Sequence, residues 1–133
     1  MLRSILAVLV AVLAWVAVVS VLNLGVRLTW PDYAAAEPGM RFSLPMLLVR
    51  LLLGVIASFA AGLVAAMIAR RRKWPTYVVV LVLLLAFIPV HYGLWAQFPA
   101  WYHLFFLASL VFFTLLGAAS RARIGFERSL FRR

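Results

Sequence analysis

Cysteine is absent from this chain, and acids are scarce: three Asp and Glu stand against thirteen Lys and Arg. Without cysteine there is no disulfide framework, no thiolate metal site and no thiol nucleophile. Three acids leave little material for paired-carboxylate chemistry. Charged residues of either sign make up only 12% of the sequence, about half of what a soluble domain carries. A water-soluble domain around a single core is therefore excluded. Catalytic motifs are missing as well. There is no His-Glu-x-x-His, no Gly-rich phosphate loop and no Gly-x-Ser-x-Gly. The long apolar runs hold no acid, so they offer no proton-coupled carboxylate of the kind found in pumps.

What fills the 133 residues instead is apolar: 68% are hydrophobic and the mean hydropathy is +1.12. A membrane-crossing helix needs about 20 such residues. The uncharged run Ser4 to Val26 suffices, and so does Leu51 to Ala69 with Leu44 to Val49 leading into it. From Trp74 to Ser120, 47 residues carry no Lys, Arg, Asp or Glu, enough for two helices. Pro99, after Ala96-Gln97-Phe98, marks the break between them. The runs are continuous and lack the alternation of barrel strands, and open sheets leave unpaired edges in lipid. The expected fold is an all-α, integral membrane four-helix bundle forming one transmembrane domain over residues 1–133. Its spans lie near 4–26, 46–69, 75–95 and 100–119, with a loop at 27–45 and a basic tail at 120–133. The first run exceeds the h-region of a signal peptide and reads as a retained helix.

The bases set orientation. Arg3, the Arg70-Arg71-Arg72-Lys73 turn and the five tail arginines put ten of thirteen on one side. An excess of Lys and Arg marks the cytoplasmic side. Both termini are then cytoplasmic, the 27–45 loop and the Gln97 turn face outward, and the chain is a multi-pass protein of the cell inner (plasma) membrane. Trp30, Tyr33, Tyr92, Trp95, Trp101 and Tyr102 gather at the outer boundary as interfacial anchors. The mid-membrane Trp15 reads as packing or lipid-facing. A net charge of +10 here signals topology and attraction to anionic lipid at the basic turn and tail, and nucleic acid is not an expected partner. The tail mixes Ile124, Phe126, Leu130 and Phe131 with arginine and could lie on the inner leaflet as an amphipathic segment, although Gly125 weakens a helix there.

Gly54, Ser58, Gly62 and Ala66 recur every four residues, beside a second row of Ala57, Ala61, Ala65 and Ala69. Small residues at this spacing let helices approach closely in lipid. The covering helix could belong to this chain, to a second copy or to a larger membrane protein. Pro89 should kink the third span. Pro31 suits a first helical position and Pro38-Gly39 a stop, so a short helix over Asp32 to Glu37 is expected.

Polar side chains collect at one depth near the outer boundary: Asn23, Arg27 and Ser20 on one face of the first span, Arg50 on the packing face of the second, then His91 and His103. In the plain reading Arg27 and Arg50 snorkel to the headgroups and the histidines are interfacial. In the functional reading Asn23, Arg27, Arg50, His91 and His103 line an outward pocket for an anion, a lipid headgroup or a small substrate, near the acids Asp32 and Glu37. Two histidines suffice for axial haem ligation, but no other haem signature accompanies them. Zinc wants three or four ligands. No cofactor and no metal are expected.

The leading functional expectation is a non-enzymatic packing, accessory or scaffold role through helix contacts. The alternative is a transporter or ligand-binding protein using the Arg/His pocket. A membrane enzyme acting on a lipid-linked substrate comes third, and would need Arg50 and both histidines to converge.

Overall fold

The computed structural model describes residues 1–70 and 72–130, with side chains as far as Arg121. Five helices follow in order: α1 (Leu2–Thr29), α2 (Pro31–Ala36), α3 (Leu44–Ala69), α4 (Trp74–Gly93) and α5 (Ala100–Leu130). Every regular element among the described residues is helical. Four of them are long and apolar enough to cross a membrane, with Ala100–Arg121 the apolar part of α5. Proline sits where its missing N–H does no harm: Pro31, Pro45 and Pro75 all lie in first turns. Pro89 stands inside α4 without ending it. The helix of α5 continues through Gly125 to Leu130, past the expected end near 119. The tail side chains beyond Arg121, and all of residues 131–133, lie outside the described residues.

The helix α3 is the centre of the bundle and packs against both α5 and α1. Its small residues explain why. A Cβ on Gly62 would run into the backbone carbonyl of Thr114, and one on Gly117 into that of Phe59. The two helices therefore touch backbone to backbone, which only glycine allows. At Gly54 the space is filled by the Phe106 ring, 2.9 Å from where a Cβ would stand. Ser58 accepts a hydrogen bond from the Trp15 indole at 3.0 Å, and the Ala66 carbonyl accepts one from Arg121 at 3.0 Å. The alanines at 57, 61 and 65 are fully buried in the same core as Trp15, Leu83 and Leu110.

Arg3 of α1 and Arg121 of α5 meet the end of α3 at one end of the bundle. Arg3 Nε donates to the Ile68 carbonyl at 2.7 Å. Arg121 Nη1 donates to the Ala66 and Arg70 carbonyls, each at 3.0 Å. These carbonyls lie at the C-terminal end of α3, where helix geometry leaves acceptors to be satisfied; Ala66 also accepts from the Arg70 N–H at 3.1 Å. Arginines from α1 and α5 thus cap α3, a task beyond the topological role that their position in the sequence suggests. The outer surface is apolar on every long helix, with Leu13, Leu52, Leu85 and Phe112 each more than half exposed.

The glycine contacts give a direct test. Gly62→Ala and Gly117→Ala should each force α3 and α5 apart and destabilise the bundle by about 1–3 kcal/mol. Gly25→Ala, where nothing stands within 4 Å, should be neutral or slightly stabilising, because alanine is the better helix former. Thermal unfolding in detergent micelles measures all three.

Candidate functional site

At the opposite end, α2 folds back over the mouth of the bundle and brings polar side chains from three helices together. The Tyr33 hydroxyl donates to Asn23 Oδ1 at 2.8 Å and accepts from Arg50 Nη1 at 3.1 Å. Asn23 Nδ2 donates in turn to Glu37 Oε1 at 3.1 Å. Glu37 completes the chain with an ion pair to Arg27, Nε to Oε2 at 3.0 Å. The sequence runs Arg50–Tyr33–Asn23–Glu37–Arg27 in space, although it draws on α3, α2, α1, the turn after α2 and α1 again. Tyr33 is fully buried at its centre. Burial pushes its phenol above the ordinary value of 10.0, although the Arg50 guanidinium beside it pulls the other way.

Beneath this net lies a cavity of about 270 Å³. Asn23, Tyr33, Glu37 and Arg50 form its polar side, with Ser20. Trp15, Phe87 and Phe106 form the aromatic floor and wall, and Tyr102 closes another side. From Asn23 to Trp15 the cavity follows eight residues of α1, about 12 Å. Below it the core is mostly apolar, with Ala11, Ala57, Ala61, Val79 and Leu83, and the hydroxyls of Ser58 and Thr114 are buried among them. An arc of rings runs beside the net. Trp30, Tyr33, Phe42, Phe98 and Tyr102 follow one another at centroid distances of 5.2–6.0 Å.

Arg50 is the unusual member. Its guanidinium carbon lies 4.5 Å over the Phe42 ring, a cation–π contact. Its Nε is buried and unpartnered. Glu37 is engaged by Arg27 and Asn23, so no carboxylate among the described residues lies within ion-pair distance of Arg50. The side chain turns inward and does not snorkel. Arg27 does reach the surface, at 51% exposure, and stands at the rim outside the cavity lining.

The histidines also depart from the interfacial reading. His91 and His103 are buried, at 6% and 0% exposure, and their Nδ1 atoms lie 2.7 Å apart. Such a contact needs one Nδ1–H donor and one bare Nδ1 acceptor, so the pair holds a single proton between the rings. Trp95 stacks on His103 at 4.8 Å, and the other nitrogen of that ring, Nε2, is buried without a partner. Phe106, 4.5 Å from His91, separates the pair from the cavity it lines. Of the five residues expected in one pocket, Asn23 and Arg50 line it, Arg27 braces its rim, and the histidines stand behind its wall. Asp32 is exposed and outside the lining.

Three contributors were not singled out from sequence. Trp15 takes the packing alternative of its sequence reading: it is buried in the core, lines the cavity and donates to Ser58. The signal was available, because a buried indole N–H seeks an acceptor and Ser58 is the hydroxyl at matching depth. Tyr33 and Tyr102 were two among several boundary aromatics, and nothing in the sequence separates them from plain anchors. Among the described residues, no group of three or more His, Cys, Asp or Glu is placed to hold a metal ion.

The raised Tyr33 pKa makes a signed prediction. Above pH 10 the unfolded tyrosine loses its proton while the folded one keeps it, so stability is present below that pH and falls as pH rises further. Unfolding measured between pH 9 and 11 should show this slope, and Tyr33→Phe should reduce it. At neutral pH the same variant should lose about 1–2 kcal/mol, since Asn23 and Arg50 each lose a partner.

No protein-family model matches the chain, and neither a curated protein nor a solved structure matches it.

Proposed function

We propose that this chain is a small multi-pass membrane protein that binds an acid-bearing ligand in the cup around Arg50. One observation carries the reading: a guanidinium lines the cavity with no carboxylate among the described residues within ion-pair distance, because Glu37 of the same lining is paired to Arg27. A charge in apolar surroundings is costly unless it is paired. The tyrosine hydroxyl gives Arg50 a dipole but no counter-charge. A carboxylate or phosphate entering the cup would supply one, with charge-assisted hydrogen bonds. The floor of Trp15, Phe87 and Phe106 favours an apolar or aromatic body on the same ligand.

The cup is closed below by the apolar core, so binding from one side is favoured over passage across the bundle. The scaffold reading draws less support, because the small residues of α3 are covered by α5 and α1. An enzyme built on Arg50 and the histidines draws less still, since Phe106 stands between them.

The apolar exterior of all four long helices supports insertion in a bilayer. The basic end, with Arg3, Arg70, Arg72, Lys73 and Arg121, supports cytoplasmic termini by the positive-inside rule. The cup then opens outward, away from the cytoplasm, in the inner (plasma) membrane. The absence of cysteine makes this simple to check. An impermeant maleimide applied to intact cells should label Gln97→Cys and leave Lys73→Cys unlabelled; the reverse pattern would invert the topology.

Octanoate, octyl phosphate and neutral octanol can serve as probes of the cup. At least one of the two acids should raise the melting temperature of the purified protein well above the octanol control, as a ligand bound to the folded state must. Arg50→Gln should abolish that difference. Equal shifts with acids and octanol, or an unaffected Arg50→Gln, would remove the proposal.

A further inference from the structure

A second cavity, of about 460 Å³, lies at the basic end, between the end of α3, the start of α4 and α5. Its two walls differ in chemistry. One carries Arg70, Arg72, Lys73 and Arg121. The other is apolar, formed chiefly by Leu115, Ala118 and Ala119 of α5. Small residues at 118 and 119 keep this side of α5 low, so the groove between α4 and α5 has depth. The Tyr77 ring, 59% exposed, stands at its edge.

One member of the charged wall is anchored by the fold. Arg121 is held by its two hydrogen bonds to the last turn of α3. Arg70 follows α3 in a backbone conformation with φ of 57°, and Arg72 and Lys73 stand immediately before α4, Lys73 at its N-cap. Among the described residues no acid pairs with any of these cations: the ion pair of Arg27 with Glu37 lies at the far end of the bundle. The protein thus presents a concentrated positive rim above an apolar slot that opens along the helices.

We infer that this groove is a binding site for one anionic phospholipid. Its phosphate sits against Arg72, Lys73 and the remaining donors of Arg121, and one acyl chain lies in the slot along Leu115, Ala118 and Ala119. Both halves of the cavity are used by this ligand and by few others. A free phosphate would leave the slot empty, and a fatty acyl chain without a headgroup charge would leave the rim unneutralised. Basic pockets between membrane helices hold acidic headgroups by the same physics. This site is separate from the Arg50 cup and does not depend on what the cup binds.

Delipidated protein in a mild non-ionic detergent tests the assignment. Dioleoyl phosphatidylglycerol should bind at a stoichiometry near one by native mass spectrometry and should raise the melting temperature. Dioleoyl phosphatidylcholine and inorganic phosphate at equal concentration should do neither. Arg72→Gln and Lys73→Gln should each weaken binding about fivefold, the size expected for one basic residue near a membrane surface. Ala118→Trp, which fills the slot without changing charge, should weaken it at least as much. Equal binding of phosphatidylcholine would overturn the inference, since the rim would then select nothing. Full occupancy by inorganic phosphate would make the site a phosphate site. Wild-type binding by Ala118→Trp would reduce the rim to unspecific surface charge. The three wild-type comparisons stand whether or not the variants fold.

Discussion

A guanidinium placed inside an apolar bundle must find acceptors, and one end of this molecule is organised around that need. Arg50 sits on the face of α3 that packs inward, one turn before Gly54, so rotation to the surface is not open to it. Its hydrogen-bonding partner comes from α2, a helix of only six residues whose buried member is Tyr33. The tyrosine is held in turn by Asn23, and Asn23 and Glu37 by each other and Arg27. Without Arg50 there is little reason for the loop after α1 to fold over the mouth of the bundle. With it, the loop becomes a lid of rings and hydroxyls over a cup. The net gives Arg50 Nη1 a partner but leaves its Nε unpartnered and its charge without an ion pair among the described residues.

That arrangement depends on α3 having a fixed rotation and depth. Both come from glycine. Backbone contact at Gly62 and Gly117 admits one close crossing of α3 on α5, and the Phe106 ring filling the space over Gly54 is the same ring that walls the cup and shields the histidine pair. Packing and site are thus linked through single side chains. The other end is fixed differently, by arginines from α1 and α5 that cap the carbonyls of α3. One chain therefore carries two chemically distinct ends, each built from guanidinium groups, one with the charge turned inward and one with it displayed.

Much of this can be read from the residues alone, and the boundary between legible and hidden has a physical cause. Helix number, the small-residue face of α3 and the shared depth of Asn23, Arg50, His91 and His103 follow from spacing along a helix, because pitch converts sequence distance into depth and face. What spacing does not convey is the rotation of one helix against another. Residues at one depth therefore divide into two groups that sequence cannot separate: Asn23 and Arg50 face the cup, while His91 and His103 face each other behind Phe106. Nor does spacing convey the path of a loop, which is why Tyr33 reads as one more boundary aromatic although it is the hub of the net. The Trp15 to Ser58 hydrogen bond lies between these cases. Depth matches the two groups, and only the face of α1 was undetermined.

Arg50 has no ion-pair partner among the described residues, and an acid-bearing ligand in the cup would supply one. The most direct measurement is the side-chain Nε–H resonance of Arg50 by ¹⁵N NMR in lipid nanodiscs, identified by its loss in Arg50→Gln. A slowly exchanging signal is expected, as a buried N–H should give, that moves on titration with an acid-bearing amphiphile and stays in place with octanol of the same chain length. A resonance that exchanges freely with water, or that responds equally to both compounds, would contradict that expectation.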